Sequence, residues 1–238
     1  MAEEQARARQ PKLESRSGPW TDLGLTLPIF LGYHLGVVFL PVRNAADWVT
    51  RELVDLADQN MLAYGLLTLC IGGSYVSVLM MLGRGQALRW DRFLFIGVEG
   101  IAYAIVLRLV AGYVTGRLFL GLVVNDPFAG LVMALGAGFY EEAVFRVGLF
   151  GVGAKLVALT FPGVPGMVRL SQRLVWAVVA AAAFSAWHYM GPFGDAFDLR
   201  TFVFRWVAGL VFTVIYVFRG FAPAVWTHAL YDIWVLVL

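Results

Sequence analysis

Charged residues are scarce in this sequence of 238 residues: they make up 14%, whereas hydrophobic residues make up 60% and the mean hydropathy is +0.75. Soluble domains average about 25% charged and about 45–50% apolar residues. The shortage of charge excludes an ordinary soluble domain and predicts an all-α polytopic transmembrane helical bundle, with the lipid bilayer as its surroundings. The net charge of +2 is too small to indicate a nucleic-acid partner.

Cysteine and histidine are almost absent. The single cysteine, Cys70, excludes a disulfide within the chain, and we interpret it as a small packed apolar residue. The chain has only three histidines. His34 has no acidic residue within reach along its own helix, so we interpret it as structural. His188 and His228 lie in later apolar segments beside other polar residues, which makes them candidates for function.

Apolar segments of bilayer length divide the chain. Residues 1–22 are polar and are predicted to form a flexible tail, followed by a single transmembrane domain over 23–238. We count seven spans, with eight as the alternative, and expect 151–166 and 191–200 to be the long connections in the C-terminal half. The predicted spans are 23–40, 61–82, 93–109, 128–150, 174–190, 201–218 and 221–238.

A short amphipathic stretch separates the first two spans. Between residues 44 and 59, apolar residues recur at helical spacing against Asp47, Glu52, Asp55 and Asp58. This pattern predicts a helix that lies in the membrane interface. Basic residues are commoner in the tail and in every second connection after it, so the positive-inside rule predicts an integral membrane protein with a cytoplasmic N-terminus.

The fourth span contains three ionisable residues, Glu141, Glu142 and Arg146. Each would cost about 2.5–3.5 kcal/mol at the centre of a bilayer, or about 8–10 kcal/mol together if left unpaired. Glu142 and Arg146 are four residues apart and can pair along one face of a helix. Glu141 points about 100° away from that face. A carboxylate that stays free inside a membrane predicts a functional site.

Two later spans supply the histidines. His188 ends the sequence Phe184-Ser-Ala-Trp-His188, close to Gly191, and His228 precedes Asp232 by one helical turn. His228 and Asp232 therefore share a helix face. Either histidine on its own could be a hydrogen-bonded structural residue, but burial in a membrane beside acidic residues favours a functional role.

These motifs resemble a known family. Glu-Glu-x-x-x-Arg at 141–146, Phe-x-x-x-His at 184–188 and His-x-x-x-Asp at 228–232 lie on separate predicted spans, in the order found in the CPBP intramembrane proteases, which include the CAAX endopeptidases. The resemblance covers about 128–238, which it marks as the catalytic core. It implies a glutamate-dependent endopeptidase that forms no covalent intermediate and needs no cofactor.

The resemblance also implies a role for each residue. Glu141 would be the general base that activates a water together with His188, while His228 and the residue four positions later would stabilise the oxyanion. Glu142 and Arg146 would fix the helix and its charge. Many members carry asparagine where this chain has Asp232. Aspartate donates a hydrogen bond only when protonated, so we expect Asp232 to hold His228 in place.

Other interpretations remain open. One carboxylate and two imidazoles also form a familiar zinc site, although no His-Glu-x-x-His motif occurs. Phe184, Tyr140 and Tyr231 flank the motifs and either line a substrate cleft or pack the bundle. A membrane-anchored protein is the implied substrate, whether a prenylated CAAX peptide or a C-terminal sorting signal. From a different class, the polar cluster could serve a non-catalytic adaptor, an immunity protein or a small transporter.

Overall fold

In the computed structural model, residues 19–40, 42–58, 60–82, 90–116, 126–191 and 194–238 are described, and all their regular structure is helical. The predicted all-α class is confirmed. The helices are α1 (Pro19–Leu25), α2 (Leu27–Phe39), α3 (Trp48–Leu56), α4 (Met61–Leu82), α5 (Trp90–Thr115), α6 (Pro127–Gly136), the π-helical segments Ala137–Glu141 and Ala143–Val152, α7 (Gly153–Thr160), α8 (Gly166–Trp187), α9 (Leu199–Arg219) and α10 (Phe221–Leu236).

Helix lengths support a multi-pass integral membrane protein. Among the described residues, five helical stretches are long and apolar enough to cross a bilayer: Met61–Met81, Asp91–Val114, Pro127–Thr160, Gly166–Trp187 and Leu199–Arg219. The first and last predicted spans also contain helices, but α2 has 13 residues and α10 has 16. Both are shorter than the roughly 20 residues needed to cross the hydrocarbon core without thinning it or using flanking residues.

The predicted connection over 151–166 is wrong for most of its length, because the helix continues to Thr160 and α8 already begins at Gly166. Gly153 in this stretch allows close helix packing. A Cβ atom on Gly153 would lie 2.6 Å from the ring of Trp176, whose Nε1 donates a hydrogen bond to the carbonyl of Leu149 at 2.9 Å. Glycine lets α8 approach this closely, so a residue typical of loops stays inside the helix.

Helix α10 forms the centre of the bundle. It packs most extensively against α5, and also against α6, the first π-helical segment and α9. Its small residues Ala222, Ala224 and Ala229 are fully buried. Helix α4 lies at the edge of the bundle, and Cys70 on it is exposed. The interpretation of Cys70 as a small packed apolar residue is therefore wrong, because no helix among the described residues covers its side chain.

The predicted tail ends earlier than expected. Residues 1–18 lie outside the described part of the chain, but 19–22 belong to helix α1. The carboxylate of Asp22 accepts hydrogen bonds from the backbone N–H groups of Phe221 and Ala222, at 2.5 and 3.2 Å. These N–H groups begin helix α10 and have no partner within it. Asp22 thus caps the last helix and ties the start of the bundle to its end.

The predicted interfacial helix is present as α3. Trp48 and Leu56 are exposed on it, whereas Thr50 and Val54 are fully buried against the bundle. Asp47 lies at its N-cap, where Oδ1 accepts a hydrogen bond from the backbone N–H of Thr50 at 2.8 Å. The sequence pattern placed Asp47 on the polar face, but the capping position buries it instead.

The helix that carries Glu141 has π-helical hydrogen bonding over 137–141 and 143–152. Such turns link residue i to residue i+5 and occur frequently at functional sites. Two glycines allow close approach here. A Cβ on Gly138 would lie 2.9 Å from the backbone nitrogen of Ala229 in α10, and a Cβ on Gly136 would collide with the ring of Tyr33 in α2. Close packing of this helix against α2 and α10 therefore depends on the two glycines.

Candidate active site

Glu141 lies in the interior with only 6% of its surface exposed. One carboxylate oxygen, Oε1, accepts a hydrogen bond from the side-chain amide of Asn44 at 2.8 Å. The other oxygen, Oε2, is buried and accepts no hydrogen bond from any described residue. A buried carboxylate oxygen without a donor is unusual, because burial of an unpaired polar atom is costly. Oε2 is thus the atom of this residue that remains open to chemistry.

His188 stands directly after the last residue of α8. Its Nδ1 lies 2.9 Å from the carbonyl oxygen of Phe184. A carbonyl can only accept, so Nδ1 carries the proton and a neutral ring leaves Nε2 as an acceptor. Nε2 lies 3.7 Å from Glu141 Oε2. With 24% of its side chain exposed, His188 is the most accessible of the three residues that meet here.

His228 projects from α10 and is enclosed, with 5% of its side chain exposed. Its Nδ1 lies 2.7 Å from Oε1 of Glu142, while its Nε2 lies 3.5 Å from Asp232 and 3.9 Å from Glu141 Oε2. The ring stacks on Phe212 with centroids 4.5 Å apart. Both ring nitrogens therefore face carboxylates, and stacking fixes the plane of the ring.

Glu142 and Arg146 form the ion pair expected from their spacing, with Arg146 Nε 3.1 Å from Glu142 Oε2 and both side chains almost wholly buried. The guanidinium also lies over the rings of Phe184 and Phe212, at 4.2 and 5.0 Å from their centroids. Glu142 thus bridges Arg146 on one side and His228 on the other. The contact between Glu142 and His228 was not predicted, because it joins residues 86 positions apart.

The three aromatic residues with an open role differ from one another. Phe184 packs at the site, with its ring centroid 5.0 Å from that of His188. The hydroxyl of Tyr140 lies 2.8 Å from His34 Nε2, whereas the neighbouring residue Glu141 is hydrogen-bonded to Asn44. Tyr231 packs against Phe204, with centroids 6.0 Å apart. Among the described residues, the large cavity of about 1620 Å³ is lined by none of the predicted site residues.

That cavity lies on another face of the same helix. Its walls include Phe139, Ala143 and Val147, and Lys155 and Arg173 also line it. Phe139, Ala143 and Val147 recur every four residues along this helix and face the cavity, whereas Glu142 and Arg146 do not line it. The chemistry-bearing side chains therefore meet in a packed cluster and not in this cavity.

Sequence reasoning missed Asn44. It lies in the short connection between α2 and α3, 97 residues before Glu141. A polar residue beside an interfacial helix ordinarily faces water, so nothing local to the sequence distinguishes it. The structure buries Asn44 and directs its amide at the carboxylate.

Two further observations concern metal binding and the connection that follows His188. No group of three or more His, Cys, Asp or Glu side chains within the described residues is arranged to hold a metal ion. Residues 194–200 follow His188 closely along the chain and are exposed, so this part of the connection does not fold back into the bundle. Glu141 and His228 reach the site from within helices, and His188 reaches it from the position that directly follows α8.

These observations define a multi-pass helical membrane protein with an enclosed cluster of carboxylates and imidazoles. Residues 123–234 match the family model described as type II CAAX prenyl endopeptidase, Rce1-like. The match covers the part of the chain that carries the three motifs, confirms the resemblance drawn from them and implies a peptidase. No curated protein and no solved structure matches the chain.

Proposed function

We propose that this protein is a glutamate-dependent intramembrane endopeptidase that hydrolyses a peptide bond of a membrane-anchored protein. The observation that carries the proposal is the meeting of Glu141 Oε2 with two imidazole nitrogens, His188 Nε2 at 3.7 Å and His228 Nε2 at 3.9 Å. These separations exceed direct hydrogen bonds, but one water can contact all three atoms. The match of residues 123–234 to the CAAX prenyl endopeptidase family model supports peptidase chemistry at this cluster.

In the proposed reaction, Glu141 and His188 activate the water. Glu141 Oε2 accepts a water proton while the water oxygen bonds to the scissile carbonyl carbon, and His188 Nε2 accepts the second water hydrogen bond and orients the attack. The tetrahedral intermediate then collapses, the C–N bond breaks, and the proton on Glu141 passes to the leaving amine. No covalent bond between enzyme and substrate is needed.

His228 is proposed to stabilise the negative oxygen of that intermediate. Glu142 Oε1 accepts a hydrogen bond from Nδ1 of His228, and Asp232 faces Nε2 at 3.5 Å. With a second proton on Nε2, the ring becomes a charged donor next to the reacting carbon, which is the arrangement that transition-state stabilisation requires. Asp232 would then hold the ring, in place of the asparagine donor of many family members. Arg146 keeps the two negative charges around the ring balanced.

The substrate and the orientation are linked. Asn44 and His188 both lie in or beside connections at the end of the bundle opposite α1 and Gly220. We propose that the N-terminus is cytoplasmic, as the basic residues indicate. Reporter fusions after residues 60 and 238 test this orientation. The result decides whether a cytoplasmic CAAX peptide or a sorting signal on the other side can reach the cluster.

The central experiment measures cleavage by purified protein in liposomes. Substrates are a prenylated CAAX peptide and an unprenylated peptide tethered by a transmembrane helix. Glu141→Gln should lower kcat by about 10²- to 10⁴-fold, because it removes the base while keeping the size of the side chain. Glu52→Gln, on the exposed face of α3, is the matched control and should leave kcat unchanged. Equal cleavage by the parent protein and Glu141→Gln would overturn the protease proposal and favour a non-catalytic role.

The same assay addresses zinc. Exhaustive chelation with a strong chelator should leave the rate unchanged if the carboxylate activates water without a metal. Loss of activity that added zinc restores would instead assign Glu141, His188 and His228 as ligands.

A further inference from the structure

Among the described residues, Asn44 makes the one hydrogen bond to the Glu141 side chain from outside the part of the chain that matches the family model. We infer that Asn44 is a positioning residue that holds the Glu141 carboxylate in one rotation, so that Oε2 faces the imidazoles. This inference rests on the proposed function for its consequence. The contact itself stands on geometry: the amide nitrogen of Asn44 lies 2.8 Å from Oε1, and both side chains are buried.

The orientation of the Asn44 amide is determined by its second contact. Its Oδ1 accepts a hydrogen bond from the backbone N–H of Ala46 at 2.8 Å. Turning the amide over would set its NH₂ group against that N–H and its oxygen against the carboxylate, so both contacts would become repulsive. Nδ2 therefore faces Glu141. A carboxylate accepts such a bond most favourably when it is charged.

The backbone around Asn44 is also fixed. The N–H of Asn44 donates to the hydroxyl oxygen of Tyr33 at 3.0 Å, and this hydroxyl donates to Asp47 Oδ2 at 2.7 Å. Asp47 in turn caps helix α3 through Thr50. The connection is thus tied to α2 on one side and to α3 on the other, so Asn44 is presented on a rigid support.

The helix that carries Glu141 is shaped for this approach. At Gly136, about one turn before Glu141, a Cβ atom would collide with the Tyr33 ring and lie 3.1 Å from the Cβ of Asn44. Only glycine leaves room for both residues at this crossing. The absence of a side chain at Gly136 is therefore a condition for the hydrogen bond between Asn44 and Glu141.

Fixing Oε1 has a direct consequence for Oε2. The terminal torsion of a glutamate is broad and roughly two-fold, so an untethered carboxylate rotates easily. With Oε1 held by Asn44, rotation is restricted and Oε2 stays within reach of His188 and His228. Without the tether, the base spends less time in the reactive arrangement, while the residues that bind the peptide are unchanged.

Two variants separate positioning from a structural role. Asn44→Asp keeps the size of the side chain and the oxygen that accepts from Ala46, but replaces the donor to Glu141 with a second acceptor oxygen, which repels the carboxylate. Asn44→Ala removes both. Positioning predicts that both variants lower kcat by about 10- to 100-fold with KM within about twofold, since misplacement of a reacting group by about 1 Å can cost about 10² in rate. A structural role predicts that Asn44→Ala lowers Tm but keeps the kcat of the parent protein.

Asn60→Ala is the matched control. Asn60 is also an asparagine in a connection, where its Oδ1 accepts from the backbone N–H groups of Leu62 and Ala63 at 3.0 and 3.1 Å. Its loss should lower Tm by an amount similar to Asn44→Ala while leaving kcat unchanged. If Asn60→Ala lowered kcat as much as Asn44→Ala, the effect would be one of general stability and the inference would fail.

An infrared measurement tests the contact without relying on turnover. The band of the Glu141 carboxyl group is the one that disappears in Glu141→Gln. It should shift in Asn44→Ala and Asn44→Asp and stay in place in Asn60→Ala. If the parent protein cleaves no peptide, the proposed function fails, and an unshifted band would independently overturn the contact. If the parent cleaves, normal kcat in Asn44→Asp overturns positioning.

Discussion

Two buried polar clusters lie on neighbouring faces of the same helical turn, and they differ in how completely their groups are satisfied. In one, His34 lies 3.1 Å from the hydroxyl of Tyr64 and 2.8 Å from that of Tyr140, so both ring nitrogens are at hydrogen-bond distance. In the other, Glu141 Oε2 lies 3.7 and 3.9 Å from two imidazole nitrogens.

Every ring nitrogen in the first cluster has a hydrogen-bond partner, whereas the second cluster contains a carboxylate oxygen without one among the described residues. Around His34, neutral hydroxyls face the ring and leave no polar atom of the imidazole open. In the second cluster, Glu141 Oε2 stands just beyond hydrogen-bond distance from the Nε2 atoms of both imidazoles, so a water or a substrate atom can lie between them. Adjacent residues, Tyr140 and Glu141, thus belong to clusters with opposite uses: one stabilises the bundle and the other can do chemistry.

The largest expected effect contrasts the two histidines. His188→Ala should lower kcat by about 10²- to 10⁴-fold with little change in Tm, because His188 is partly exposed and is proposed to orient the water. His34→Leu should do the reverse. It leaves two tyrosine hydroxyls without a partner and should lower the free energy of unfolding by about 2–5 kcal/mol, with kcat within a fewfold of the parent. Cleavage kinetics and thermal unfolding in the same liposomes measure both; a His188→Ala protein with normal kcat would contradict the contrast.

A second prediction concerns the ion pair beside the reactive cluster. Arg146→Met leaves Glu142 buried with an uncompensated charge and should cost about 3–5 kcal/mol of stability. The double variant Glu142→Gln with Arg146→Met removes that charge, and its amide oxygen can still accept from His228. It should regain most of the stability in denaturant or thermal unfolding. A double variant no more stable than Arg146→Met would show that the guanidinium contributes by packing alone.

Tyr140→Phe sharpens the comparison at its boundary. The hydroxyl is removed from His34, so one ring nitrogen loses its partner and stability should fall by about 1–3 kcal/mol. Because the hydroxyl does not contact Glu141 in the described structure, kcat should remain within about twofold. A large drop in kcat with unchanged Tm would mean that Tyr140 takes part in the reaction.

The smallest effect is expected for Asp232→Asn. Asparagine has the same size and can either accept from the ring of His228 or donate to the oxyanion. The rate should stay within about tenfold of the parent, which corresponds to about 1.4 kcal/mol in the barrier. Steady-state kinetics provide the measurement, and complete loss of activity would show that the negative charge of Asp232 is needed.

The sequence predicted the features that depend on residues close together along the chain. The helical class, the membrane location and the short helix at Trp48–Leu56 follow from hydropathy and helical periodicity, which act over neighbouring residues. The ion pair of Glu142 with Arg146 follows from the four-residue spacing alone. The roles of Glu141, His188 and His228 stay predictions, although their side chains lie close together as the motif order implied.

Other features were beyond sequence reasoning for identifiable reasons. The glycines at 151 and 153 resembled a loop, but they serve helix packing against Tyr216 and Trp176. Cys70 looked like a core residue, but its helix lies at the edge of the bundle. Periodicity shows that a segment has an apolar face without showing which neighbour covers it.

The amino-acid sequence by itself determined that this chain enters a membrane as helices, and that a few ionisable groups enter with it, because the cost of burying charge applies to each segment independently. Only the tertiary structure decided which groups meet. Asn44 reaches Glu141 across 97 residues, and His228 reaches Glu142 across 86, through helix crossings that depend on Gly136 and Gly138. Such contacts depend on how whole helices pack, and no local pattern specifies them.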